Sequence, residues 1–277
     1  MRSRPQHLSR YRAALRLALS FLVLAAAGLS SPAGGQNKSS HPRSGAKAPS
    51  AAEAKDPLPP FRVGEKLDYR IAWASFSSAA TAQLDVTERR DLRGWDTWHL
   101  RAQAHTLSPV RALFAIDDQF DSYTDARTLE SHQYEMYLRE FGRQQNIVLQ
   151  LAPPDSPERG AGSTVIVQPG TRDPIGALYS LREVNWQSTP EVRTPVFDGK
   201  ALYEMRALRE ARREQVSVEA GTYSAAKIGV HLYERGREVS GTRFEIWVAQ
   251  DAARPLVLIQ ADVPFGSLRG ELISANQ

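Results

Sequence analysis

Cysteine is absent from the 277 residues of this chain, which excludes several kinds of chemistry. Without thiols the chain cannot form a disulfide, a zinc–thiolate site, a catalytic cysteine or a lipid attachment to an N-terminal cysteine. Disulfides are permitted rather than required outside the cytoplasm. A domain spanning residues 61–277 is long enough to bury a core without them.

A long hydrophobic run is also lacking. The uncharged apolar stretch over residues 17–29 follows five arginines and is shorter than the roughly 20 residues of a membrane-spanning helix. Its length suits the apolar region of a secretory signal, and small residues follow it at 30–35. Residues 1–36 therefore predict a cleavable signal peptide, with cleavage between Ala33 and Gln36. The alternative is an uncleaved anchor; either way we expect an exported protein, periplasmic or extracellular.

The folded part of the chain has little net charge. The formal charge of +4 includes the five arginines of residues 1–36, a segment that has no acidic residue. Removing them from the 35 basic residues leaves 30 against 31 acidic residues, so residues 37–277 carry −1. A nucleic-acid-binding domain has a basic stripe on its folded part. We therefore expect no nucleic-acid partner, and membrane contact only through an uncleaved signal.

Composition divides the exported part into a tether and a domain. Residues 37–60 consist largely of Ser, Pro, Ala, Gly and Lys, and have almost nothing apolar to bury, which predicts a disordered tether. From Phe61 onward, short β-rich runs alternate with turn residues. We therefore predict one β-rich domain over residues 61–277.

Alternation of apolar and polar residues predicts antiparallel strands with one solvated face. Leu67, Tyr69, Ile71 and Trp73 share one face of the first such run, and similar runs cover 82–87 and 98–104. Further strands are predicted at 117–124, 130–139, 143–151, 163–168, 192–197, 200–209, 214–219, 223–233, 241–249, 255–263 and 267–274.

Two stretches predict short helices. One covers residues 109–115; the other covers 173–183 and begins with Asp173 as an N-cap and a proline at the first helical position. So few helices cannot cover a dozen strands, so the sheet must cover itself. We predict a mainly β fold: a strongly curved antiparallel sheet that closes toward a barrel or sandwich, with the 173–183 helix packed against it or across one opening.

Three segments resemble a family of exported bacterial proteins catalogued as domain of unknown function 3108. They cover residues 61–73, 173–182 and 246–256, and Gly266 and Glu271-Leu272 follow them in the expected order. The resemblance implies export and a β-rich fold over the whole domain, but no established activity. The layout is also similar to the half-open barrels of periplasmic lipoprotein carriers, an analogy of fold alone.

No motif predicts catalysis, a metal site or a cofactor. A Gly-x-Ser-x-Gly elbow, a glycine-rich phosphate loop and a recognised metal-ligand spacing are all missing from the sequence. His99 and His105 share a strand face that looks solvated, and the adjacent Asp117 and Asp118 point to opposite faces of a strand. We therefore predict no enzyme. That question would be reopened by a cleft that contains two or more of His99, His105, Asp117, Asp118 and His132.

Aromatic side chains are the remaining candidates for a binding site. The candidates to line a concave apolar cavity are Tyr69, Trp73, Trp98, Phe120, Tyr134 and Phe244, with Trp247 as a further candidate. Buried aromatics usually just pack, so the sequence favours an ordinary core over a cavity. The leading hypothesis is a non-catalytic cell-envelope protein that binds a lipid or another apolar or amphipathic ligand. The alternatives are an interaction scaffold for an envelope protein complex or cell-wall polymer, and an enzyme with an unrecognised site.

Overall fold

The computed structural model describes residues 59–155, 163–241, 243–263 and 266–276. The predicted signal peptide and the predicted tether up to residue 58 lie outside the described residues. Within them the chain forms one large sheet and two short helices, as the alternation predicts. The strands are β1 (Lys66–Trp73), β2 (Phe76–Leu92), β3 (Trp95–Thr106), β4 (Asp117–Asp125), β5 (Ser131–Glu140), β6 (Arg143–Ala152), β7 (Thr164–Ile166), β8 (Glu191–Phe197), β9 (Leu202–Val218), β10 (Gly221–Glu234), β11 (Arg237–Glu238), β12 (Arg243–Ala249), β13 (Leu256–Val263) and β14 (Gly266–Asn276).

The helices are α1 (Val110–Leu113) and α2 (Pro174–Glu183). Asp173 caps α2 as predicted: its carboxylate accepts hydrogen bonds from the backbone N of Ile175 at 2.8 Å and of Gly176 at 3.0 Å. Eight of the ten residues of α2 are buried, so the helix is enclosed on nearly every side. It contacts β3, β4 and β8 and fills the space that the curved sheet surrounds.

The sheet order is β7-β6-β5-β4-β3-β2-β1-β14-β13-β12-β10-β9-β8, with β11 paired to β10. Neighbouring strands are antiparallel except β6 and β7, which are parallel. The first and last strands of the domain therefore lie side by side in the middle of the sheet, with Lys66 opposite Asn276. Mainly antiparallel pairing around one enclosed helix confirms the predicted curved sheet.

The sheet curls toward a barrel, but its two edge strands are not hydrogen-bonded to each other in the described part of the chain. The segment that leads into α2 spans this seam. The backbone N of Ser131 donates to the carbonyl of Thr171 at 3.0 Å, and the backbone N of Arg172 donates to the carbonyl of Pro195 at 2.9 Å. The turn after β8 also packs across the seam: a Cβ added at Gly199 would lie only 2.7 Å from Cε of Met136.

One strand prediction was wrong. The separate strands predicted at 200–209 and 214–219 are a single strand, β9, whose register against β10 shifts twice between Arg209 and Glu214. Such β-bulges interrupt the two-residue alternation without ending the strand. The far end of this long hairpin reaches the centre of the sheet, where the backbone N of Ala220 donates to the carbonyl of Leu272 and Glu219 forms an ion pair with Arg70.

Candidate functional site

Five of the six predicted cavity aromatics lie in the hydrophobic core: Tyr69, Trp98, Phe120, Tyr134 and Phe244. The polar atoms of two of these residues form hydrogen bonds within the protein. The hydroxyl of Tyr69 donates to the carbonyl of Leu256 at 2.9 Å, and the indole of Trp98 donates to the carbonyl of Ala126 at 3.2 Å. Phe120 and Tyr134 stack with ring centroids 6.3 Å apart. Trp247, the further candidate, packs on the opposite face of β12 and donates to Glu214 at 2.7 Å.

The enclosed cavities beside these core aromatics are small, although Tyr69 also borders an open groove of about 290 Å³. A cavity of about 20 Å³ lies between α2 and the inner face of β9, β10, β12 and β13, and is lined by Leu178 and Phe244 among others. A second cavity of about 10 Å³ lies beneath Trp73 and Val110. A single water molecule needs about 10–15 Å³ measured this way, so neither cavity has room for an acyl chain.

Trp73, the sixth candidate, lies at one end of the barrel in an aromatic cluster. Its ring is 5.6 Å from that of Phe114, edge to face, and 6.3 Å from that of Phe76. Phe114 in turn lies 6.1 Å from Phe141. Together with Leu113 these residues come from the β1–β2 turn, the α1 connection and the β5–β6 turn. We call Trp73, Phe76, Leu113, Phe114 and Phe141 the apolar rim.

The rim exposes apolar surface although it sits on the core. Leu113 is 72% exposed and Phe76 is 37% exposed, whereas Trp73 is half-buried. Two contacts fix α1 beneath Leu113: Val110 is buried in the sheet, and Arg111 forms two hydrogen bonds with Asp117, at 2.8 and 2.6 Å. Leu113 is therefore exposed on a helix whose position is fixed by these contacts.

The opposite face of β3 and β4, which looks outward, carries a polar network. The carboxylate of Asp121 accepts hydrogen bonds from His99 at 2.6 Å, Arg101 at 2.8 Å and Gln119 at 2.6 Å. Burial disfavours the charged carboxylate, but these hydrogen bonds outweigh it and lower the pKa of Asp121. The network thus holds an ionised carboxylate under a stacked pair of rings, His99 and Tyr123, whose centroids are 4.5 Å apart.

The prediction that His99 lies on a solvated face was wrong for that residue. His99 is only 6% exposed, because Tyr123 covers its ring and Glu88 approaches its Nδ1 at 3.6 Å. His105, on the same face, is exposed as predicted. The difference arises from neighbours on β2 and β4, which a single strand does not reveal.

The residues named as enzyme discriminators do not converge on one cleft. His105 lies 3.2 Å from Asp117 and lines an open groove of about 290 Å³, but Asp117 is held by Arg111 and is outside the groove lining. Asp118 is buried and accepts from the backbone of Arg139. His132 stacks on Trp95 at the other end of the barrel. Of these residues, the structure brings together one histidine–carboxylate pair, His105 and Asp117, and the carboxylate of Asp117 is already paired with Arg111.

Among the described residues, no group of three or more histidines, aspartates or glutamates is placed to hold a metal ion. Within the same residues there is also no helix long and apolar enough to cross a membrane.

The fold and these contacts define a class: a barrel-like, mainly β domain with two small cavities among the described core residues and an apolar rim at one end. The chain belongs to the family described as protein of unknown function (DUF3108), whose model matches residues 68–273. This confirms the family resemblance of the three segments. None of the curated proteins matches the chain.

A barrel-like architecture is also found in a solved structure. A β-barrel-like protein of domain of unknown function DUF1849 from Brucella abortus has a TM-score of 0.53 and 12% identity, covering 77% of this chain and 97% of its own. Two others are less similar. A predicted lipoprotein from Parabacteroides distasonis has a TM-score of 0.35 and 10% identity, over 78% of this chain and 96% of its own. A predicted exported protein with a YmcC-like fold from Bacteroides fragilis has a TM-score of 0.28 and 7% identity, over 78% and 97%.

Sequence reasoning named Trp73 but missed the other four rim residues. Leu113 and Phe114 were assigned to a short helix without a role, and Phe76 and Phe141 stand beside turns. Their only signal was that apolar side chains occupy connections, where polar residues are usual. Grouping them requires knowing that three connections meet at one end of the sheet.

Proposed function

We propose that this protein is an exported, non-catalytic protein of the cell envelope that binds an apolar or amphipathic ligand at the apolar rim. The observation that carries the proposal is the exposure of Leu113, on a helix that is held in place, and of Phe76, at the start of β2, beside half-buried aromatic rings. Apolar groups that remain exposed at the mouth of a barrel are a common feature of ligand sites.

The small size of the described core cavities favours the rim over the interior as the place of such a ligand. The described cavities beside the core aromatics hold about one water molecule each or less. We therefore place the ligand on the rim, with Trp73 as the contact shared with the sequence-based site, and treat Tyr69, Trp98, Phe120, Tyr134 and Phe244 as its support. Export is proposed from residues 1–36, whose pattern is that of a secretory signal.

A fluorescent single-chain lipid, used below its micelle concentration, tests the proposal. We expect the wild-type protein to bind it, and the double variant Leu113→Ser/Phe76→Ser to bind about tenfold more weakly, since each lost apolar contact weakens burial of the ligand. The matched control is Trp95→Ser, which removes a side chain that is 47% exposed but lies at the opposite end of the barrel. Equal loss in the control, or no binding by the wild type, would contradict the proposal.

A second candidate, a scaffold for a hydroxyl-rich cell-wall polymer, is favoured by the outer face of β3–β6. Side-chain amides and a tyrosine line this face: Gln103 donates to Gln119 at 3.0 Å, and Tyr137 donates to Glu135 at 2.5 Å. Amides can both donate and accept, which suits hydroxyl groups. Crosslinking in intact cells separates the two candidates, because a scaffold captures one recurrent polymer and a lipid binder does not.

A further inference from the structure

We infer that the rim end of the barrel docks onto the surface of a bilayer that contains anionic phospholipid. This inference rests on the proposed function in using the same rim, but it names the physical form of the ligand: a membrane surface rather than a lone molecule. Two separate observations point to it, one from apolar exposure and one from charge.

The apolar observation is that three of the eight exposed large hydrophobic side chains of the described residues lie at the rim end, whereas the other five, Trp95 among them, lie elsewhere on the barrel. Phe76 begins β2, Leu113 ends α1, and Leu202, which is 39% exposed, begins β9; all three stand at the end where β1 finishes. Leu113 is the most exposed of the large hydrophobic side chains in the described residues. A flat interface can touch residues that share one end of a barrel, whereas a small ligand contacts only adjacent ones. Apolar side chains of peripheral proteins insert in this way at the headgroup boundary.

The charge observation is an excess of basic residues at the same end. At the rim end, the strand connections together with β11 contain four basic residues and two acidic ones: Arg111, Lys200, Arg235 and Arg237 against Asp198 and Glu238. One of the four, Arg111, is paired with Asp117 at the start of β4. The hairpin connections at the opposite end are balanced, with Arg93, Arg127 and Arg254 against Glu130, Glu219 and Asp251. The rim end is therefore the end that an anionic surface attracts.

Two more arginines flank the rim directly. Arg139 and Arg143 stand on either side of the β5–β6 turn that carries Phe141, and both are exposed. Neither forms an ion pair with another described residue. Arg111, by contrast, is committed to Asp117. Unpaired guanidinium groups beside exposed aromatic rings can contact lipid phosphates while the rings enter the interface.

Co-sedimentation with vesicles tests this inference on the full exported chain. We expect binding to vesicles of phosphatidylcholine and phosphatidylglycerol, weaker binding to phosphatidylcholine alone, and further weakening by salt, since surface charges are screened. Leu113→Ser/Phe76→Ser should reduce binding to both kinds of vesicle by about tenfold. Arg139→Gln/Arg143→Gln should reduce only the anionic component. Circular dichroism of each variant verifies that it is folded.

The control is again Trp95→Ser, which should bind vesicles as the wild type does. Membrane docking is overturned if the rim variants sediment with anionic vesicles as well as the wild type, or if the control loses binding equally. If the single-chain lipid binds the rim but vesicles do not, docking is wrong and the proposed function stands. If vesicles bind through the rim while the single-chain lipid does not, docking stands and the proposed function must be restated as surface attachment.

Discussion

Arg182 is a charged side chain buried in the core, where its guanidinium group forms hydrogen bonds with a carboxylate and two backbone carbonyls. Its guanidinium donates to the two carboxylate oxygens of Glu65, at 2.6 and 2.8 Å, and to the carbonyls of Arg254 and Ala253, at 3.0 and 2.8 Å. It also makes cation–π contacts with the rings of Tyr179 and Phe61, whose centroids lie 5.0 and 5.4 Å away. The ion pair of Arg182 and Glu65 links α2 to the segment before β1, and the two carbonyl contacts link it to the β12–β13 turn. A buried pair of this kind is costly to break rather than strongly stabilising in itself.

Replacing one member of this pair tests that distinction. Glu65→Ala should lower the free energy of unfolding by about 3–5 kcal/mol, because Arg182 is left as an uncompensated buried charge. The double variant Glu65→Leu/Arg182→Met should recover part of this loss, although two carbonyls then lack their donor. Urea unfolding measures both. The exposed pair of Glu191 and Arg193 is the control, and Glu191→Ala should leave the midpoint nearly unchanged. A similar cost for both single variants would contradict this account.

At the scale of single elements, α2 is shaped by its surroundings more than by its own helical preference. Gly176 stands in its first turn, where the backbone conformation does not require glycine. An added Cβ there would lie 2.9 Å from Cγ2 of Thr124 and 3.3 Å from the carbonyl oxygen of Leu129. Threonine is stiff about its first side-chain bond, and a carbonyl cannot move aside cheaply. Glycine is therefore required by close approach.

Gly176→Ala sets two effects against each other. Helix preference alone would stabilise the protein by about 1 kcal/mol. Overpacking costs about 1–3 kcal/mol, and we expect it to win, so the variant should unfold at a lower urea concentration. Ser180→Ala, at a half-buried position of the same helix, is the matched control and should be neutral or slightly stabilising. A more stable Gly176→Ala variant would show that the surrounding strands yield easily.

These elements also show what the sequence can predict. The period-two alternation of β1 and the Asp173 cap of α2 are local signals, and both were predicted correctly because local chemistry determines them. The bulged region of β9 interrupts alternation, so one strand was predicted as two. The burial of His99 and the grouping of Phe114 with Trp73 depend on strand neighbours, which only the sheet order supplies. The class of fold could therefore be predicted from the sequence, whereas the grouping of the rim residues could not.

On the scale of the whole molecule, stability should fall from the middle of the sheet to its edges. β1 and β14 are paired on both sides, whereas β7 has three residues and one neighbour. Backbone amides exchange through openings that cost least where few contacts must break. We expect the slowest hydrogen exchange in β1, β13 and β14 and the fastest in β7. Exchange followed by mass spectrometry checks this order, and protection of β7 equal to that of β1 would contradict it.

The central place of β14 has a consequence for how the chain can fold. β14, the last of the described strands in chain order, joins the two halves of the sheet, with β1 on one side and β13 on the other. A chain that emerges from its N-terminus therefore cannot pair β14 with β1 and β13 until residues 266–276 have emerged. Pairing between such distant segments is slow. If the protein is exported as proposed, this order keeps the polypeptide unfolded while it crosses the membrane.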